Sequence, residues 1–296
     1  MKKKAFIYII TAGILWGTSG IFSHYMEPYG FTPLQITFAR SFVSLIGMFF
    51  YVLLVDRKRF KTSFKEILIF AATGFCLFGT AAFYFTAMRM TSVSTAVVLM
   101  YMSPVYVSVF SVLLFGEKFS KLKVLSIGLM LVGCCFVSGL IGGFKFNVIG
   151  LLIGLLSGLA YGGYNIFTKI ALRNNSHPLT TTFYTFLFVV IIAAITSKPW
   201  EIVGKAAVRP AVTLPLLIGV GIVTFILPYF LYSFAMKDMN AGTASALSIV
   251  EPMSATLFSV ALLGEKLTVI SGIGIILILG AVFLLGCAEN EKNRNE

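Results

Sequence analysis

Two stretches of this chain, Ser94 to Lys118 and Gly242 to Lys266, carry nearly the same text at an offset of 148. Thr95 falls on Thr243, Ala96 on Ala244, Leu99 on Leu247, Pro104 on Pro252, Phe110 to Val112 on Phe258 to Val260, and Leu114 on Leu262. Gly116-Glu117-Lys118 falls on Gly264-Glu265-Lys266. Internal similarity of this kind constrains the fold before any single residue does. Further pairs extend it: Gly13, Gly17 and Ile21-Phe22 meet Gly158, Gly162 and Ile166-Phe167 at an offset of 145, as Pro33 meets Pro178. Tyr84 and Ala87-Met88 meet Tyr232 and Ala235-Met236 at 148.

The repeated text is apolar, and so is the chain. Apolar residues make up 58% and charged residues 11%, with a mean hydropathy of +0.95. A water-soluble domain needs a charged surface, so this composition demands lipid. The net charge of +12 does not indicate a nucleic-acid partner, because the basic residues sit in short gaps between apolar runs. Four cysteines lie in or at the end of apolar runs without metal-ligand spacing, and no metal or cofactor is expected. Lys2-Lys3-Lys4 precedes an apolar run like a signal peptide, but no A-x-A site follows and more spans come after it, so it reads as an uncleaved first helix.

Ten spans of about 20 residues are expected, near 5–23, 33–55, 66–88, 93–115, 122–140, 149–171, 179–197, 213–236, 242–263 and 268–286. The predicted class is an all-α membrane protein of ten transmembrane helices. The repeats cover 5–140 and 149–286, and 287–296 is a disordered polar tail. Sixteen of the 23 Lys and Arg fall on the side of the N-terminus, six on the other, and Arg40 lies inside a span. This bias predicts a multi-pass protein of the cell membrane with both termini cytoplasmic. Five spans per copy is odd, so the copies form inverted five-helix repeats. Such repeats place a substrate site between the halves near the midplane, and rocking opens it to each side in turn.

Trp16-Gly17, Arg40, Pro104 with Gly116-Glu117, and Glu251-Pro252 with Gly264-Glu265 resemble the drug/metabolite transporter superfamily, specifically its EamA-type members with two EamA repeats. The resemblance covers about 5–286. It implies alternating access and export or import of a small polar metabolite, often an amino acid; export is the direction expected here.

Glu251 and Arg40 are the charges deepest in the spans. Glu251 lies about nine residues into its span, roughly 13 Å deep, and intramembrane ionisable groups are functional candidates by default. It either contacts substrate or carries a coupling proton; the structural alternative is an acid satisfied by a neighbouring helix. Arg40 follows Pro33 by seven residues, roughly 10 Å along the helix. Its guanidinium suits a carboxylate, and a structural ion pair with Glu251 or snorkelling is equally open. The repeat counterparts are Ser103 and Thr185, so both charges are asymmetric. Trp16, Tyr84, Tyr101, Tyr161, Asn165 and Tyr232 are further substrate-binding candidates, weighed against plain packing.

Pro104 and Pro252 each free a helix carbonyl, of Met100 and Ser248, for a hinge, a ligand or a packing kink. Glu117 and Glu265 read first as helix-end or interfacial ion pairs with Lys118 and Lys266; the resemblance adds a gate role. Gly150, Gly154, Gly158 and Gly162 form a smooth ridge for close helix packing. His24 and His177 read as solvated loop residues.

The partners expected are a small-molecule substrate, the bilayer and, as a coupling ion, protons, in a monomer or homodimer. A channel or facilitator is the alternative, although channels favour symmetric rings over one deep acid and one deep base. An intramembrane enzyme is disfavoured: Gly17-Thr18-Ser19-Gly20 superficially resembles a nucleophile loop, but no histidine lies at membrane depth to act as base.

Overall fold

The structure, a computed structural model, describes residues 3–117, 120–140 and 147–295, with side chains described to 286. It is built from fifteen α-helices: α1 Lys3–Gly17, α2 Ser19–Met26, α3 Pro33–Val55, α4 Phe64–Met90, α5 Val93–Met100, α6 Ser103–Phe115, α7 Lys121–Val137, α8 Val148–Arg173, α9 Pro178–Ser197, α10 Pro199–Ala207, α11 Pro210–Gly221, α12 Leu227–Asp238, α13 Ala241–Leu247, α14 Val250–Leu263 and α15 Val269–Asn295. Sequence chemistry sets the starts. Thr32 and Ser63 form capping boxes with Gln35 and Glu66, Ser92, Ser120 and Asn147 cap α5, α7 and α8, and Pro33, Pro178, Pro199 and Pro210 open their helices.

The repeated Gly-Glu corner has a local explanation. Gly116 and Gly264 both take the left-handed conformation, with φ of 64° and 70°. The following Glu117 and Glu265 N–H groups reach back to Ser111 O at 3.2 Å and Ser259 O at 3.3 Å. Closing a helix end through a left-handed residue in this way favours glycine, which has no Cβ to clash. Lys118, expected beside Glu117, lies outside the described residues.

Among the described residues nine helical segments are long and apolar enough to cross a membrane, among them Lys3–Tyr29, Val93–Phe115, Pro210–Asp238 and Ala241–Leu263. The expected span at 122–140 corresponds to α7, which has 17 residues, so the count of ten is not reproduced. α15 runs on to Asn295, where a disordered tail was expected from 287. No proline or glycine follows Gly286, and Ala288, Glu289, Glu291 and Lys292 are helix formers. Large apolar side chains such as Leu54, Phe75, Leu113, Ile195 and Phe283 stand exposed, the outer surface that lipid requires.

Contacts between helix ends sort into two groups. At the end where α1 begins, here the near end, Ser176 Oγ bonds Glu66, Thr180 Oγ1 bonds Arg59 O at 2.9 Å, and Tyr184 OH bonds Phe60 O at 2.7 Å. At the far end, Lys205 Nζ donates to Gly30 O at 2.6 Å and Gln35 Oε1 at 2.7 Å, and Gln35 Nε2 donates to Glu201 at 2.9 Å. Those bonds hold α10, a helix not foreseen from sequence, whose Trp200 and Val203 remain exposed. His177, expected to be solvated, is half-buried as the cap of α9: its Nδ1 accepts from Leu179 N at 3.2 Å.

Glycines join the halves in matching fashion. A Cβ on Gly13 would sit 3.2 Å from Val250 Cβ, and one on Gly17 2.7 Å from Ser254 Cβ. Correspondingly, a Cβ on Gly158 would sit 2.5 Å from Leu99 O, and one on Gly162 3.3 Å from Tyr106 Cβ. Thus α1 of the first repeat packs on α14 of the second, while α8 of the second packs on α5 and α6 of the first, backbone nearly on backbone. Gly158→Val should cost about 1–3 kcal/mol by overpacking and lower the thermal midpoint of the purified protein. Gly128→Ala, at a helical site with nothing within 4 Å, should not lower it and should raise it slightly through helix propensity.

Candidate functional site

The spans at 93–115 and 242–263 are each interrupted near the middle. α5 stops at Met100 and α6 restarts at Ser103; α13 stops at Leu247 and α14 restarts at Val250, with Pro104 and Pro252 in the first turns of the restarted helices. A proline lacks the N–H that would continue the ladder, so the winding resets ahead of it. Ser248 O does not remain free: Glu251 N–H takes it at 3.0 Å. The breaks place Tyr101 and Glu251 at helix junctions instead of on continuous faces.

Around these junctions the structure gathers the expected residues. Trp16 comes from α1, Arg40 from α3, Tyr84 from α4, Tyr161 and Asn165 from α8 and Tyr232 from α12. Glu251 lies within electrostatic range of Arg40, Tyr84, Tyr101, Tyr161 and Tyr229. The Tyr101 hydroxyl faces the Glu251 carboxylate but does not close a well-formed hydrogen bond. Among the described residues no direct ion pair joins Arg40 to Glu251. Both keep intermediate exposure, so two opposite charges of different repeats lie within electrostatic range without neutralising each other by contact.

An aromatic wall lies between them. Trp16 meets Tyr229 at 5.0 Å and Tyr232 at 5.4 Å between ring centroids, and Tyr164 meets Tyr229 at 5.6 Å. Arg40 Cζ stands 4.9 Å over the Phe225 ring, a cation–π contact. Asn165 fixes the wall: its Oδ1 accepts from Tyr232 OH, and its Nδ2 donates to Tyr161 O at 2.9 Å. Trp16 Nε1, Arg40 Nε, Tyr101 OH and Ser103 Oγ are buried without hydrogen-bond partners. Buried polar atoms are normally satisfied, so a cluster of unsatisfied ones marks room for water or ligand.

Sequence reasoning missed Tyr164, Tyr229 and Phe225. The signal was present in the spacing, since Tyr161, Tyr164 and Asn165 share a helix face, as do Tyr229 and Tyr232. Phe225 carried no such signal, because it stands on a π-helical turn, Ile222–Ile226, closed by Leu227 N–H to Ile222 O. Pro228 gives the reason: its missing N–H and its ring exclude a regular turn there, and the widened one absorbs the mismatch.

The gate candidates diverge. Glu117 is buried, at 6% exposure, and its Oε1 accepts from Ala241 N at 3.3 Å, so it is no interfacial residue. Glu265 is exposed. Lys169, not singled out from sequence, is buried within electrostatic range of Glu117 and donates to Met236 O and Met239 O, both at 2.7 Å. Among the described residues no group of three or more His, Cys, Asp or Glu could hold a metal.

Comparison with known proteins places this arrangement. The family described as EamA-like transporter matches twice, over residues 3–139 and 148–287. An uncharacterized transporter of Archaeoglobus fulgidus is 29% identical, over 93% of this chain and 94% of its own. The uncharacterized transporter YwfM of Bacillus subtilis is 23% identical over 98% and 96%, and the uncharacterized inner membrane transporter YicL of Salmonella typhimurium 23% over 99% and 98%. A crystal structure at 20% identity superimposes with a TM-score of 0.80 over 96% of each chain, which shows a shared fold.

Tyr232→Phe would leave the buried Asn165 Oδ1 without its donor. The expected cost is about 1–3 kcal/mol, read as a lowered thermal midpoint, while Tyr84→Phe, which breaks no such pair, should leave stability near that of the parent.

Proposed function

The chain belongs to the EamA-like transporter family, and from that premise we propose a secondary active carrier of a small zwitterionic metabolite, an amino acid or a related compound, working by alternating access. One observation carries this reading: Arg40 and Glu251, contributed by different repeats, lie within electrostatic range of each other without a direct ion pair, beside polar atoms that lack partners. A ligand with a carboxylate at one end and an ammonium at the other satisfies both charges at once, the first through the guanidinium fork and the second through the carboxylate. Its non-polar part rests on Trp16, Tyr229 and Tyr232. A bound ligand would pair both charges and so offset part of the cost of holding them at membrane depth.

The membrane frame proposed is ten crossings with both termini in the cytoplasm of the cell. Two contacts support counting α7 as a crossing: it begins just after the Glu117 corner at the near end, and a Cβ on Gly139 would lie 3.8 Å from Ser94 at the other. The chain then returns through α8, whose Gly150 approaches Thr91. Export is the direction proposed. Glu251 is the group proposed to couple transport to protons.

In proteoliposomes, Glu251→Gln and Arg40→Ala should each reduce counterflow of labelled amino acids at least tenfold while the proteins remain monodisperse and inserted; normal transport by both would refute the assignment. Flux through the parent should saturate with substrate, whereas flux linear in the gradient would indicate a pore. A pH-gradient dependence should vanish in Glu251→Gln, and its persistence would remove the proton role. Accessibility tags at Gly116 and Gly264 should react from opposite faces of the membrane.

A further inference from the structure

The turn between α12 and α13, at the near end, is held by side chains from two other places in the chain. Lys169 of α8 donates to Met236 O and Met239 O, both at 2.7 Å, at the close of α12. Glu117, at the Gly-Glu corner of the first repeat, accepts from Ala241 N, the first N–H of α13. Asn240, at the cap position of α13, makes no side-chain cap of its own, so Glu117 supplies what the turn lacks. Lys169 and Glu117 attract each other, with Arg173 and Asp238 also in electrostatic range of Lys169. Lys169, Glu117, Met239 and Ala241 are all buried. A buried ammonium that bonds two carbonyls beside a buried carboxylate is costly to separate, because removing either partner leaves an uncompensated charge.

The repeat allows a comparison within the same molecule. By the offsets above, Glu117 corresponds to Glu265, Lys169 to His24, Met239 to Thr91 and Ala241 to Val93. None of the grip is reproduced there. Glu265 and His24 are exposed, and Val93 is 57% exposed. That turn closes itself instead: Thr91 Oγ1 bonds Ala87 O at 2.7 Å, and Ser92 Oγ accepts from Thr95 N at 3.1 Å. One mouth is therefore fastened by charges from both repeats, and its counterpart relies on local hydroxyl caps.

We infer that Glu117 and Lys169 form a latch that keeps the near-end mouth of the chamber closed, and that its one-sidedness sets the resting state of the carrier. α13 runs from the latched turn to the chamber, where Ser245 stands beside Asn165 at 3.5 Å. Opening towards the near end requires the α12–α13 turn to leave both Lys169 and Glu117. At the far end the corresponding α4–α5 turn has no such grip among the described residues, and the Lys205 contacts there hold α10 against the start of α3 instead. The inference rests on the carrier reading, and it assigns gating to Lys169 and a partner to Glu117.

The test is alkylation of Ser245→Cys, with the four native cysteines replaced, by a membrane-impermeant maleimide applied to either face of oriented vesicles. Lys169→Met, which keeps the length of the side chain, and Glu117→Gln, which keeps its shape, should each speed labelling from the near-end face about tenfold and slow it from the far face. Lys169→Arg, which can still donate to both carbonyls, should restore the parent rates. Unchanged labelling from both faces in monodisperse Lys169→Met and Glu117→Gln proteins would overturn the latch. Counterflow of a labelled amino-acid mixture by the unsubstituted protein, read in the same vesicles, judges the carrier reading separately: normal counterflow with unchanged labelling removes the latch alone.

Discussion

Backbone polar groups inside a bilayer have to be satisfied by the protein itself, and this chain nevertheless breaks two of its spans in mid-course. The breaks survive because glycines of the opposite repeat let a neighbouring backbone come close enough to shield them. Gly13 and Gly17 face the α13–α14 junction, and Gly158 and Gly162 face the α5–α6 junction. Everything at the centre depends on this reciprocal cover. It brings Glu251 and Tyr101 to positions that continuous helices would not offer, and it makes each half complete the other's weakest segment.

On that symmetric frame the chemistry is asymmetric. Where the second repeat has Glu251 the first has Ser103, and where the first has Arg40 the second has Thr185. The same contrast recurs at the two mouths, where a buried lysine and carboxylate occupy one end and exposed residues the other. On the proposed carrier, a duplicated scaffold would supply two equivalent ways of closing, and single-site differences would decide which is favoured and what the middle recognises. On that reading a few charged contacts would be enough to bias the equilibrium between the two closed forms.

Much of the architecture was legible because it left period and composition in the text. The Gly-Glu corners, the glycine ridge and the proline-marked breaks each reflect a backbone requirement that few residues meet. Trp16, Arg40, Asn165 and Glu251 stood out because polar or bulky groups at membrane depth are few. What escaped was set by packing over long separations. Lys169 looked like one more basic residue near a span end, and only the fold shows that carbonyls of α12 converge on it. Glu117 looked interfacial beside Lys118, while its burial depends on a turn 124 residues away. Phe225 stands on an irregular turn, so a regular 3.6-residue period assigns it a wrong face. The expected span at 122–140 was read from hydropathy across a helix that ends at Val137.

That irregular turn has a consequence of its own. Between Ile222 and Ile226 the winding holds one residue more than a regular helix would. The segment above it, which buries Leu217 and Val220, and the one below, which carries Tyr229 and Tyr232, are therefore out of phase by a single step. Losing one residue here would replace the wide turn by a regular one of nearly the same rotation, so Tyr229 and Tyr232 would keep their side of the helix, facing Trp16. Length changes are usually absorbed in loops; in this molecule a wide turn deep inside a span can take up or release one residue while leaving the crossing intact.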